Sequence, residues 1–445
     1  MPNKVPSQPA GVLRPLRTSK GGSEPNTGLQ PAGDTIECVA MTASQEPVTA
    51  FWSPILLWSR TNTRACGVVA AVLICVLARS VDAQIVVSAN DSKVQLVNGV
   101  NTPIPNALPD TVTVIELSGG LPRILAEIPV PNSIVGPPQN VAITPDGTIA
   151  LVASSTKLDP TDATKTAPDD RLSVIDLKAS PPAVLATLHA GKGASGVAIN
   201  RAGTLALVAN RNDGTVSILT IAGKAVTAAG TVEVGTPESL LSGVVFTRDG
   251  RTALVTRNND SLIAVLTIDG NKVTNAKRDF AANVKPYGID ISPSGETAVV
   301  ASIGVGATGG ADTLSVIDIA ADPPRAVNHV SVGPVAEGLA VSPDGQYVAV
   351  TVMNGSNAAK GSPFFNDYGW LRVYSLNKAA MALVAETQIG HWCQGVAWRA
   401  DSKMVLAQCV VEREIMTFGF DGRRLARGPS IKVGGGPSGI RTAAR

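Results

Sequence analysis

Residues 338–352 read GLAVSPDGQYVAVTV. An apolar run, an Asp-Gly turn signal and a second apolar run make a β-hairpin, the pair supplying positive φ angles. Both arms are apolar almost throughout, as strands covered on both faces are. The string recurs as NVAITPDGTIALVAS from Asn140, GVAINRAGTLALVAN from Gly196, GVVFTRDGRTALVTR from Gly243, GIDISPSGETAVVAS from Gly288 and GVAWRADSKMVLAQC from Gly395. A cut-short copy, GIRTAAR, begins at Gly439. Successive copies start 56, 47, 45, 50, 57 and 44 residues apart. A third strand follows each hairpin, such as LSVIDL from Leu172 or LSVIDI from Leu314, and then a fourth, such as VLATL from Val184. Four strands at that period make one blade of a propeller.

The two ends of the repeat region complete one another. QIVVSAN from Gln84 matches a second strand, and TVTVIEL from Thr111 and RILAEIPV from Arg123 match the third and fourth. The missing first strand is SGIRTAA from Ser438. The expected fold is therefore all-β: a single seven-bladed propeller over residues 84–445, its closing blade shared by both ends. Such closure removes the free sheet edges that invite aggregation. Two separate β domains would need a linker or a composition break, and the sequence has neither.

Composition agrees. Charged residues are 16%, apolar residues 44% and aromatics 4% of 445 residues, with 43 Gly and 31 Pro. A net charge of +2 implies no polyanion partner, so no nucleic acid is expected. Residues 1–59 are rich in Pro, Ser, Thr and Gly without a period, and read as disordered or as lying before a later start such as Met41. Residues 60–83 read as a secretory signal: Arg60 and Arg64, the apolar run Cys66–Ala78, then Val81 and Ala83 before a cut ahead of Gln84. The run is short for a membrane span, so none is expected after cleavage. The chain is expected to be periplasmic or secreted, and a monomer. Only Cys393 and Cys409 follow the cut. Counting back from the turn at 400–403 sets them side by side on adjacent strands, and an oxidising compartment favours a disulfide.

Strings such as GTLALVANRNDGTVSIL from Gly203 and DTLSVIDIAADPPRAVNHVSVG from Asp312 resemble the YVTN-repeat propellers, a group that includes lactonases of the 6-phosphogluconolactonase type. The resemblance covers residues 84–445, with YVTN itself altered to LVAN, LVTR and VAVT. Its motifs are turn and strand residues, so they imply the fold far more than an activity.

Loops entering first strands and leaving second strands meet on one face of a propeller, around the channel, where ligands bind. Before first strands this places Gln139, Ser195, Ser242, Tyr287, Glu337, His391 and Trp392. After second strands it places Asn90, Ser154, Asn210, Arg211, Arg257, Asn258, Asn354 and Cys409. The candidate ligand-binding set is Arg211, Arg257, Asn210, Asn258, Tyr287, Asn354 and Trp392, suited to a small anionic or hydroxylated ligand, with a protein partner as the other occupant. His391 and Glu337 are the candidate catalytic pair. His189 and His329 fall on outer strands. The first functional reading is an exported binding or interaction protein. The alternative, which the resemblance favours, is a lactonase using His391, Glu337 and the two arginines. A third class, an electron-transfer partner or quinoprotein-type subunit, lacks any mark of a quinone site. No cofactor and no metal are expected. Asp159, Asp162, Asp169 and Asp170 offer carboxylates for Ca²⁺ at a spacing that matches no known loop. Loops 91–110, 155–170, 303–311 and 353–369 are long enough to cover the mouth. The last holds Phe364, Phe365, Tyr368 and Trp370, either a contact surface or packing for the loop itself.

Overall fold

The computed structural model describes residues 84–118, 121–306 and 308–443. The N-terminal extension of residues 1–59 and the signal segment expected over residues 60–83 lie outside them. Seven antiparallel blades form in the order the repeat gives. Blade 1 pairs Gly436–Thr442 with Gln84–Asp91, then Thr111–Ser118, then Leu121–Pro129. Its inner pairing sets Ser88 against Ile440 and Val86 against Thr442, so the two ends of the described chain share one sheet. Blade 2 begins at Val141–Ile143, blade 3 at Ala194–Ile199, blade 4 at Leu241–Phe246, blade 5 at Pro286–Ile291, blade 6 at Ala336–Val341 and blade 7 at Cys393–Trp398. No helix among the described residues is long and apolar enough to cross a membrane.

The apolar strands bury both faces between blades. Seven hydrophobic clusters form, one at each blade–blade interface. Leu205, Leu207 and Val216 of blade 3 meet Leu241, Val255 and Leu266 of blade 4, for example. Each fully buried Leu or Ile stabilises by roughly 1.5–3 kcal/mol, so the ring is held by its interfaces. Fourth strands such as Ala183–His189 are largely exposed.

The hairpin turns differ from the expected pair of positive φ angles. Only the glycine is left-handed, as at Gly345 (φ 74°), and Ser402 takes the same conformation in blade 7 (φ 58°). The preceding aspartate serves as an acceptor instead. Asp344 Oδ1 accepts from Ser342 Oγ at 2.5 Å and from the Gln346 N–H at 3.0 Å. This is a longer turn closed by one left-handed residue, for which glycine carries no Cβ penalty.

Candidate functional site

The innermost strands of blades 3 to 7 slip register at the same point, after Ala194, Leu241, Pro286, Ala336 and Cys393. Each slip is a bulge of two residues opposite one, which turns a side chain out of the ladder. The bulged pairs are Ser195-Gly196, Ser242-Gly243, Tyr287-Gly288, Glu337-Gly338 and Gln394-Gly395. Ser438-Gly439 in blade 1 and Gln139-Asn140 in blade 2 complete the series. The repeat glycine is a spacing device here. A Cβ on Gly243 would lie 2.8 Å from the Tyr287 carbonyl, and one on Gly288 would lie 3.0 Å from the Glu337 carbonyl. From blade 4 to blade 7, each blade thus packs its ring residue's carbonyl against the glycine of the blade before.

The outcome is a buried ring of Gln139, Ser195, Ser242, Tyr287, Glu337, Gln394 and Ser438, none more than 6% exposed. Five of these stand where the sequence places them. In blade 7 the position belongs to Gln394, with His391 and Trp392 further out, and Ser438 fills it in blade 1. Both follow from taking the residue before each repeat glycine.

Arg211, Tyr287 and Glu337 come together. Arg211 Nη1 donates to Ser242 Oγ at 2.6 Å and to the Leu240 carbonyl at 3.3 Å, and its guanidinium lies 5.7 Å from the centre of the Tyr287 ring. Glu337 Oε1 accepts from Gln394 Nε2 at 3.3 Å, while Glu337 Oε2, Gln394 Oε1 and Ser195 Oγ are buried without a partner. Burial pushes the Glu337 carboxyl up to about 8, against the pull of the Arg211 charge. Burial also raises the Tyr287 phenol, Arg211 opposing and Glu337 adding to the shift. A carboxyl so shifted beside an arginine is the kind of group found at functional sites.

The other candidates are committed locally. Arg257 pairs with Asp260 and Asp279 of its own blade. Asn210 binds Thr215 Oγ1 and Ser217 Oγ, each at 2.9 Å, and Asn258 donates to the Pro286 carbonyl. Asn354 donates to the Tyr368 carbonyl and braces loop 353–369. Of the acidic loop, Asp159 and Asp162 cap the turn of a small hairpin, Asp169 pairs with Arg171, and Asp170 faces His189. His329 bonds Ser315 Oγ at 2.9 Å.

The ring lies under a cap, to which loops 91–110 and 353–369, expected from the sequence to cover the mouth, contribute Val94 and Met353. Val94, Ile134, Val335, Met353, Trp392 and Val410 form an eighth apolar cluster, drawn from the loops of blades 1, 2, 6 and 7. Loop 353–369 is tied down beside it. The Lys360 N–H donates to Asn98 Oδ1 at 3.2 Å, the Trp392 N–H donates to Ser356 Oγ at 3.1 Å, and Phe364 rests against Gly309. Tyr368 meets Trp370 edge to face, and Arg372 stacks on Trp370. Phe364 remains 45% exposed.

His391 fastens this loop. Its Nδ1 lies 2.7 Å from Glu412 Oε1 and its Nε2 2.9 Å from Asp367 Oδ1. Both contacts are hydrogen bonds only when both nitrogens carry protons, so the pair of carboxylates selects the imidazolium. Burial alone would lower its pKa, but the bonds to Glu412 and Asp367 hold it above the ordinary histidine value. A raised folded-state pKa contributes stability that is complete below about 6.5 and is lost as pH rises through the raised value. His391→Gln is therefore expected to flatten the alkaline side of the stability–pH profile between those two points. Chemical denaturation across pH reads this, and an unchanged profile refutes the clamp.

A disulfide joins Cys393 and Cys409, which face one another across the inner two strands of blade 7 with Cα atoms 3.9 Å apart. Unfolded, unreduced protein is expected to show no reactive thiol from this pair. Reduction is expected to destabilise by about 3 kcal/mol on the chain-entropy scale.

No family model matches the chain, and no curated protein sequence does. Solved structures do. The chain is similar to the periplasmic gluconolactonase of Pseudomonas aeruginosa, at 14% identity and TM-score 0.61 over 81% of this chain and 98% of that one. The fold is that of the lactonase-type seven-bladed propellers. A provisionally assigned 6-phosphogluconolactonase of Bacteroides uniformis matches at 16% identity and TM-score 0.61, over 81% and 99%. A protein of unknown function from Desulfotomaculum acetoxidans matches at 14% and 0.59, over 81% and 98%. At such identities the likeness establishes this lactonase-type propeller as a fold alone.

Proposed function

We propose that the chain is an exported lactone hydrolase whose reaction takes place at Arg211, Tyr287 and Glu337. The observation that carries this reading is the Glu337 carboxyl, buried, pushed up to about 8, and left with one oxygen unpartnered. A base of that strength is matched to proton transfer near neutral pH. Ionised Glu337 takes a proton from water as the water oxygen bonds to the lactone carbonyl carbon. Arg211 carries the negative charge that develops on the carbonyl oxygen. The ring C–O bond then breaks, and protonated Glu337 returns the proton to the departing ring oxygen, leaving a hydroxy acid. Gln394 Oε1 and Ser195 Oγ, buried and unpartnered, are acceptors for substrate hydroxyls. The similarity to a periplasmic gluconolactonase supports both the reaction class and the compartment.

The test is acid release from glucono-δ-lactone in a pH-stat, corrected for the uncatalysed rate. Wild type is expected to accelerate opening, with kcat/KM rising through a limb near 8 as Glu337 ionises. Glu337→Gln is expected to lose at least about a hundredfold, the lower range for removing a general base. The second reading, a binding protein, is favoured by His391, whose two nitrogens are already taken by carboxylates and leave Glu337 without a second acid–base group. No acceleration of lactone opening, together with saturable gluconate binding that Glu337→Gln abolishes, would establish that reading and overturn the hydrolase.

A further inference from the structure

The channel is divided. Gln139 reaches from blade 2 to blade 5, its Nε2 donating to the Ile289 carbonyl at 2.6 Å and its Oε1 accepting from the Ile289 N–H at 3.0 Å. Beyond this crossing, toward the hairpin turns, lies a second set of seven positions. Each is three residues on from a ring residue: Ala142, Ala198, Val245, Asp290, Ala340, Ala397 and Arg441. Five are Ala or Val, and the other two carry opposite charges. Small side chains leave room beside the charged ones. Asp290 is anchored at the inner edge of the blades, its Oδ2 accepting from the Val341 N–H of blade 6 at 2.9 Å and its Oδ1 from the Ile291 N–H at 3.0 Å. Arg441 is different. Among the described residues its guanidinium has no hydrogen-bond partner, and no nitrogen of it comes within 4.0 Å of a carboxylate oxygen. Burial pushes Arg441 below the ordinary arginine value and Asp290 above the ordinary aspartate value, each opposed by the charge of the other. Arg441 is half-buried, and its five donors, without a protein acceptor, are free to take an oxyanion in the fork.

We propose that this lower part of the channel binds a small α-hydroxy carboxylate, its carboxylate on the Arg441 fork and its hydroxyl donating to Asp290. A plain carboxylate meets Arg441 but brings Asp290 only repulsion. A hydroxy acid satisfies both, because each Asp290 oxygen retains a free lone pair. The site stands on the far side of the Gln139 crossing from Glu337, so it does not depend on the hydrolase reading.

The experiment is calorimetric titration of the mature chain with glycolate and with acetate. Wild type is expected to bind glycolate saturably and more tightly than acetate. Arg441→Met is expected to weaken glycolate by about tenfold or more, the scale of one charge-assisted hydrogen bond. Asp290→Asn is expected to erase the preference for glycolate over acetate. Glu337→Gln is expected to leave glycolate binding unchanged. If Arg441→Met does not fold, Arg441→Lys is read instead, since it keeps the charge and loses the fork, and it is expected to bind glycolate more weakly. No saturable heat, as from a channel holding only water, overturns the proposal. So does glycolate affinity that is unchanged by substitution of Arg441, or that falls in Glu337→Gln alone.

Discussion

Deletion of residues 438–445 is expected to abolish cooperative unfolding. Those residues hold most of the inner strand of blade 1, with Ile440 fully buried in the core between blades 7 and 1. They also carry bonds that reach three other segments. Ser438 Oγ donates to the Ala89 carbonyl at 3.3 Å and to Asn132 Oδ1 at 3.2 Å, and Gln408 Nε2 donates to the Gly439 carbonyl at 3.0 Å. Without them the Gln84–Asp91 strand loses its inner partner, and two blade interfaces open at once. A domain is stable by only about 5–15 kcal/mol in total, and the loss of one strand from a closed ring is of that order. Calorimetry or near-ultraviolet circular dichroism reads the result. A truncated chain that melts as the intact one does refutes closure as the source of cooperativity.

Gly338→Ala is expected to cost roughly 3 kcal/mol or more, at the upper end of overpacking effects. The new methyl would press into the Gln394 carbonyl and lie 3.0 Å from Thr351 Oγ1. Neither neighbour is free to give way. The Thr351 hydroxyl is hydrogen-bonded to that same Gln394 carbonyl and accepts the Gly338 N–H at 3.2 Å. The control is Gly361→Ala, where an added Cβ meets nothing within 4 Å and the backbone is not left-handed. That change is expected to stay within about 0.5 kcal/mol. Equal denaturant midpoints for the two variants would show that the repeat glycine serves something other than close approach of the blades.

The blades and their closure were legible because they rest on local patterns: apolar runs, turn glycines and a regular period. The channel ring was legible in five of its seven members. Its members stand one place before the repeat glycine, or before Asn140 in blade 2, and counting by loops instead carried the reading to His391 and Trp392 in blade 7. Three features lay beyond reach. The long loops of the cap were visible, but its apolar contacts join single residues from loops of different blades, so no window of sequence holds them. The partners of His391 are 24 and 21 residues away, and only the packed loops bring them together. The shift of Glu337 depends on burial by neighbouring blades, which no local pattern encodes. Arg257, equally plausible in sequence, is taken up by Asp260 and Asp279 of its own blade.

The shared blade also sets when folding can finish. Of the strands in the described ring, Gln84–Asp91 is made first and its inner partner, Gly436–Thr442, is made last. No intermediate length of nascent chain can close the ring. Contacts of such long sequence separation are slow to form, because loop-closure entropy must be overcome before they stabilise anything. Completion is thereby deferred until the strand of the ring that is made last is available. The ring thus becomes rigid only after its last strand has been made, and until then blade 1 and the most recently made blade each lack one of their two neighbours.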